Sequence, residues 1–125
     1  MSKKALGKIM EDRACVYLGQ EGYSVICRNF YSRYGEIDII AWDGPVLAFI
    51  EVRYRRKNSL VTPLESVTIS KRRKICLAAG YYLAQNGISD CVPMRVDICS
   101  IQGSPSVFPV EKVAIHITKG AVEFP

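Results

Sequence analysis

Leu6, Ile9, Met10, Ala14, Tyr17 and Leu18 recur at helical spacing, and this single apolar stripe predicts an amphipathic helix over about residues 5–20. Gly22 follows it as a stop signal. Tyr23 to Phe30 then alternates weakly and predicts a first strand, with Arg28-Asn29 near its end. Gly35-Glu36-Ile37-Asp38-Ile39-Ile40-Ala41-Trp42 and Val46-Leu47-Ala48-Phe49-Ile50-Glu51-Val52-Arg53 are rich in β-branched and aromatic residues and predict two more strands. Asp43-Gly44-Pro45 supplies the reversal between them, because Gly tolerates positive φ and Asp favours tight turns. Thr62-Pro63-Leu64-Glu65 has capping-box spacing and predicts a short turn. Ser70 is the predicted cap of a longer helix with the stripe Ile75, Ala78, Ala79, Tyr82 and Leu83, ending near Gln85 before Asn86-Gly87. Val92 to Ser100 predicts a strand carrying Arg95 and Asp97 on one face. Gln102-Gly103-Ser104-Pro105 reads as a loop, and Glu111 to Ile117 as a last strand.

The resulting order is α-β-β-β-α-β-β over one domain, residues 1–125. It predicts an α/β fold with a mixed sheet of about five strands, flanked by a helix on each face or by both on one. A three-strand meander followed by a helical crossover makes the strand after the crossover parallel to the third.

Composition narrows the function classes. A formal charge of +5 points to an anionic partner. The five cysteines, at 15, 27, 76, 91 and 99, form no CxxC pair, and an odd count argues against a disulfide framework and for a reducing, cytoplasmic setting. No apolar run approaches the ~20 residues of a membrane span, and Met-Ser-Lys-Lys has no apolar signal segment behind it, so no membrane association is expected. There is no P-loop, no Ser/His/Asp arrangement and no internal repeat. His116 is the only histidine and has no Cys or His at ligand spacing, so a structural or solvent-facing role is expected.

The chemistry lies in two acids. Asp38 and Glu51 fall inside runs that predict the buried middle of a sheet, where carboxylates are disfavoured unless paired or metal-bound. Strand alternation puts Glu36, Asp38, Ile40 and Trp42 on one face, and Phe49, Glu51 and Arg53 on one face of the next strand. A two-residue loop pairs Trp42 with Pro45 and Asp38 with Phe49; the alternative register pairs Trp42 with Leu47 and Asp38 with Glu51. Either brings the two acids onto one face, with Cβ atoms roughly 5 to 8 Å apart. Carboxylates that close repel unless a cation lies between them, and Mg²⁺ or Mn²⁺ suits oxygen ligands. Ion pairing with Arg53, Arg55 or another basic side chain is the alternative. Glu11 lies at the border of the first helix's stripe, one turn before Cys15, where an acid is ordinarily solvated. Arg53-Tyr54-Arg55-Arg56-Lys57 interleaves cations with an aromatic. Lys71-Arg72-Arg73-Lys74 crowds a helix start that already carries partial positive charge. Both runs read either as solvated faces or as phosphate-binding patches.

Taken together, Glu11, Arg28-Asn29, Gly35-Glu36-Ile37-Asp38, Phe49-Ile50-Glu51-Val52-Arg53-Tyr54-Arg55, Lys71 and Arg95-Val96-Asp97 resemble the bacterial YraN-like family over nearly the whole chain. That family is similar to archaeal Holliday-junction resolvases, which have the restriction-endonuclease-like PD-(D/E)xK fold. The resemblance implies that Asp38 and Glu51 hold the divalent ion and that Glu11 is the helix glutamate of the site. Arg53 stands where the nuclease pattern has lysine, and an arginine cannot adjust its charge to handle a water. It can still stabilise developing negative charge, while Lys71 is the candidate stand-in. The implied function is metal-dependent phosphodiester hydrolysis on DNA, including branched DNA; the alternative is a nucleic-acid-binding module that does not cut. Arg55, Arg56, Lys57, Arg72, Arg73 and Lys74 are the expected nucleic-acid contacts. A homodimer is left open.

Overall fold

Apolar residues alternate in the central strands so that both sheet faces need covering, and one helix covers each. The computed structural model describes residues 2–103 and 113–124. Its elements are α1 (Lys3–Gln20), β1 (Tyr23–Ser32), β2 (Gly35–Asp43), β3 (Val46–Arg55), α2 (Ile69–Gln85), β4 (Met94–Gln102) and β5 (Ala114–Val122). The five strands form one sheet in the order β1-β2-β3-β4-β5. Only β3 and β4 pair in parallel, joined by the crossover that contains α2, as the predicted order requires.

Met10, Ala14 and Leu18 of α1 pack with Ile39, Ala41, Ala48, Ile50, Cys99 and Ile101. Ile75, Ala78, Ala79 and Tyr82 of α2 pack with Ile40, Leu47, Phe49, Val96 and Ile98 on the other face. Tyr82 meets both Phe30 and Phe49 edge-on. The β2–β3 hairpin turns on Gly44-Pro45, with Gly44 at φ +59 and Asp43 still paired to Val46. Trp42 therefore pairs with Leu47, the second of the two predicted registers.

Several boundaries differ from the prediction: β1 runs on to Ser32, β4 is Met94–Gln102 where the pattern predicts Val92 to Ser100, so that Gln102 is strand and not loop, and two others have a local cause. α2 starts at Ile69, and its cap is Thr68, whose hydroxyl accepts from the Lys71 N–H at 3.1 Å. Ser70 lies inside the first turn. The Thr62/Glu65 capping box does form, with reciprocal bonds of 3.2 Å, but it closes an isolated turn. The last strand runs Ala114–Val122, well past the predicted end at Ile117. Gly120, at φ +63, bends it, and its N–H donates to Asp97, so pairing with β4 continues beyond the point where alternation fails. Residues 111 and 112 of the predicted strand, and Ser104-Pro105 of the predicted loop, lie outside the described residues. His116 is exposed on β5 opposite Ser100.

Arg95 and Asp97 share a face, as predicted, and form an ionic cluster. Asp97 is fully buried, and each of its oxygens is doubly satisfied. Arg95 Nε (2.7 Å) and the Gly120 N–H (2.9 Å) donate to Oδ1; Tyr23 Oη (2.8 Å) and Arg95 (2.9 Å) donate to Oδ2. Arg95 also donates to Asp43 Oδ2 at 2.7 Å, which holds the Asp43 carboxyl below the usual carboxylate range. Saturated in this way, the cluster joins β1, β2, β4 and β5 at one end of the sheet.

Candidate functional site

At the opposite end of the sheet, where β2 begins and β3 ends, regular structure gives way. Asn29 adopts φ +53, uncommon for a residue with a side chain, at the place on β1 that faces Asp38. The β2–β3 pairing stops at Ile39 and Ile50. Strict alternation is not kept across Asp38: Ile37 and Ile40 both pack in the core that contains α2, while Ile39 packs in the one that contains α1. Asp38 takes the place of a ladder carbonyl, its Oδ2 accepting the Val52 N–H at 2.8 Å.

Asp38 and Glu51 are neighbours even so, although the single face expected for Glu36, Asp38, Ile40 and Trp42 is broken because Ile37 packs on the side of Ile40. Burial raises the Asp38 carboxyl to about 8, and the adjacent Glu51 carboxylate pushes the same way. Glu51 itself is only 4 % exposed. Its Oε2 meets Arg53 at 3.1 Å and Lys71 at 3.6 Å, so both basic residues singled out in the sequence converge on one oxygen. Its Oε1 is buried and has no hydrogen-bond partner. Such an atom costs free energy unless something binds it, and two partners can: the proton that Asp38 keeps, shared between the carboxyls, or a cation.

Glu11 comes from α1 and is held by β1 side chains, its own side chain only 13% exposed. Its Oε1 accepts from Arg28 Nε and Asn29 Nδ2, both at 3.0 Å. Arg28 also binds Asp12 at 2.6 Å. Arg28 and Asn29 thus fix Glu11 in place, a role that the sequence pattern did not assign them. Glu36 had no assigned role either. Burial raises its carboxyl, followed by the charges of Asp38 and Glu11. Its signal in the sequence was its position two residues before Asp38 in the same strand.

The remaining cations divide. Lys74 lies beside the start of β2, its Cβ 3.7 Å from the point where a Cβ on Gly35 would stand. Arg56 and Lys57 are exposed just beyond the end of β3, whereas Arg55 turns back to the Tyr54 carbonyl at 2.7 Å. Arg72 donates to the Val67 carbonyl at 3.2 Å. With Arg73 it lines a separate cleft between α2 and the β5 tail, so the structure does not bring this pair to the carboxylates.

Among the described residues, no group of three or more His, Cys, Asp or Glu side chains gathers at metal-ligand spacing. Asp38 and Glu51 are the two carboxylates that could hold a cation there. The Glu51 oxygen without a donor and the raised Asp38 carboxyl fit a hard divalent ion, which would favour the charged form of both. No helix among the described residues is long and apolar enough to cross a membrane.

Set against known proteins, the chain matches the profile of the uncharacterised protein family UPF0102 over residues 10–101. It is similar to a UPF0102 protein of Lachnoclostridium phytofermentans, 41% identical over 98 residues that span 78% of this chain and 83% of the relative. A UPF0102 protein of Symbiobacterium thermophilum is 42% identical over 105 residues, 84% of this chain and 87% of the relative. One from Tropheryma whipplei is 37% identical over 108 residues, 86% and 89% of the two chains.

Proposed function

Because the chain belongs to the YraN-like family UPF0102, whose description carries no activity, we propose its function from the site: it is a divalent-metal-dependent nuclease-like protein that acts on DNA. The observation that carries this reading is the buried, unpartnered Glu51 oxygen beside the raised Asp38 carboxyl. Asp38 and Glu51 would hold Mg²⁺ or Mn²⁺, and the ion, when bound, would polarise a phosphodiester and lower the pKa of a water. The chain's own residues do the rest. Lys71 is the amine that reaches Glu51 at 3.6 Å, in place of the lysine that position 53 lacks. Arg53 stays charged and stabilises negative charge developing on the phosphate. Arg28 and Asn29 hold Glu11 at the edge of the site. The resemblance to junction resolvases extends the reading to branched DNA.

A second reading has its own observation. Arg53 and Lys71 already neutralise one oxygen of Glu51, which a binding module without an ion would require. Calorimetry with Mn²⁺ separates the two: the nuclease reading expects binding in the wild type that is lost in Asp38→Ala and in Glu51→Ala. Single-turnover cleavage of duplex, flapped and four-way DNA should then be weak and favoured by Mn²⁺. With Lys71 as the amine, Lys71→Ala should abolish it; if the lysine missing at position 53 limits the reaction instead, wild-type cutting should be slow or absent and Arg53→Lys should raise it. Absence of metal-dependent cutting in all of these proteins leaves the binding module.

A further inference from the structure

Beside the carboxylates, the N-terminal half of α1 and the outer strand β1 enclose a cleft of about 830 Å³, lined by Lys4, Lys8, Glu11, Asn29, Tyr31 and Glu36 among others. Its volume falls in the ~300–1,000 Å³ range of pockets that hold a small organic ligand, and is far too small for a double helix. Cations, one tyrosine ring and the two carboxylates Glu11 and Glu36 line it. Lys4 and Lys8 are exposed cations on α1, and Lys8 makes only a 3.8 Å contact with Asp12. Tyr31 stands 71 % exposed on β1. Phe30, Tyr34 and Tyr81 pack against other rings, whereas Tyr31 packs against none among the described residues. Tyr31 is paired in register with Glu36, the acid two residues from Asp38. The free ring and the acidic site are therefore neighbours on one edge of the sheet.

We propose that this cleft takes an unpaired nucleotide of a nucleic-acid strand, its base stacked on Tyr31 and its phosphates on Lys4 and Lys8, so that the strand runs on toward Asp38 and Glu51. The inference rests on the nucleic-acid reading above and deepens it, naming single-stranded ends or unpaired segments as what the site recognises. A base within a duplex is stacked on both sides and cannot offer a face to an exposed ring; an unpaired one can. The outer position of β1 leaves the approach to Tyr31 open.

The test is fluorescence anisotropy with a labelled oligothymidine of about ten nucleotides, a length within the usual single-strand site range, and with a blunt duplex of equal length. Both are measured at fixed salt in Mg²⁺ and in EDTA. Tyr31→Ala should weaken single-strand binding roughly 5- to 100-fold, the range that base–aromatic stacking supports. Duplex binding should stay within about twofold, and Tyr31→Phe should retain the wild-type value. Tyr31 is exposed, so these variants should keep the far-ultraviolet circular dichroism of the parent. If Tyr31→Ala leaves single-strand binding unchanged, or weakens both substrates equally, the inference is overturned while the nuclease reading stands. If the wild type binds neither substrate in either buffer, both fall.

Discussion

Asp38 is where the chain pays for its site. Its carboxyl is raised by burial and by Glu51 to about 8 in the folded chain, but titrates near 3.9 when unfolded. Between those values the folded state keeps a proton that the unfolded state has lost, so stability falls as pH rises through the window. Asp38→Asn removes the titration and keeps an oxygen for the Val52 N–H. In EDTA the variant should melt above the wild type at pH 8.5, by about 1 kcal/mol or more, roughly 3 °C. The gap should close toward pH 4; thermal melts across that range read it, and a gap independent of pH would exclude a buried charge. Asp38 and Glu51 were legible in the sequence because acids stand out in runs otherwise fit for a core. The part of the Val52 amide was not legible, because it depends on the ladder failing at Asp38, and alternation alone predicts that it continues.

Among the elements, the meander, the crossover and the parallel β3–β4 pair follow from pattern, and so does the hairpin register, once the turn is placed at Gly44-Pro45. The start of α2 did not follow. Thr68 and Ser70 are both good cap residues, and Ile69 between them is 71 % exposed, so no apolar stripe marks the first turn. Thr68→Ala should cost about 1 kcal/mol (range ~0.5–2), while Ser70→Ala should be nearly neutral or slightly stabilising. Urea unfolding of the two variants decides it, and the reverse order would move the cap back to Ser70. The end of β5 was hidden for a different reason. Thr118-Lys119-Gly120 reads as a breaker, yet Gly120 is held by Asp97, a partner 23 positions away that no local pattern contains.

Across the whole molecule, the net positive charge is partitioned. Lys71, Lys74, Arg56 and Lys57 lie toward the carboxylate end, whereas Arg72 and Arg73 face the cleft against the β5 tail. A duplex seated on the carboxylate end and contacting about four phosphates should show log K falling with log salt at a slope of roughly −3 to −4. Replacing Arg56 and Lys57 with Ala should flatten that slope by about two, and Arg73→Ala should leave it unchanged. Titrations at several salt concentrations measure this. Equal effects from both sets would mean that the charge acts as a diffuse field and not through a docked face. The sequence shows how much charge there is; only the packing of α2 shows which of its cations look toward the acids.

The bond from the Val52 N–H to Asp38 has one more consequence. Nearly every other amide of β3 is tied to a neighbouring backbone, but this one is tied to the side chain at the heart of the site. Its exchange with deuterated solvent is therefore a built-in gauge of the state of Asp38, readable without substrate or activity. In Asp38→Ala the Val52 amide should exchange on the order of tenfold faster, as expected where local opening no longer has to break that hydrogen bond. The amides of Ala48 and Ile50 should keep their protection, because regular pairing with the strands on either side holds that part of β3. Addition of Mn²⁺ to the wild type should shift exchange at Val52 and leave those two unmoved, so that the occupancy of the carboxylates could be followed proton by proton.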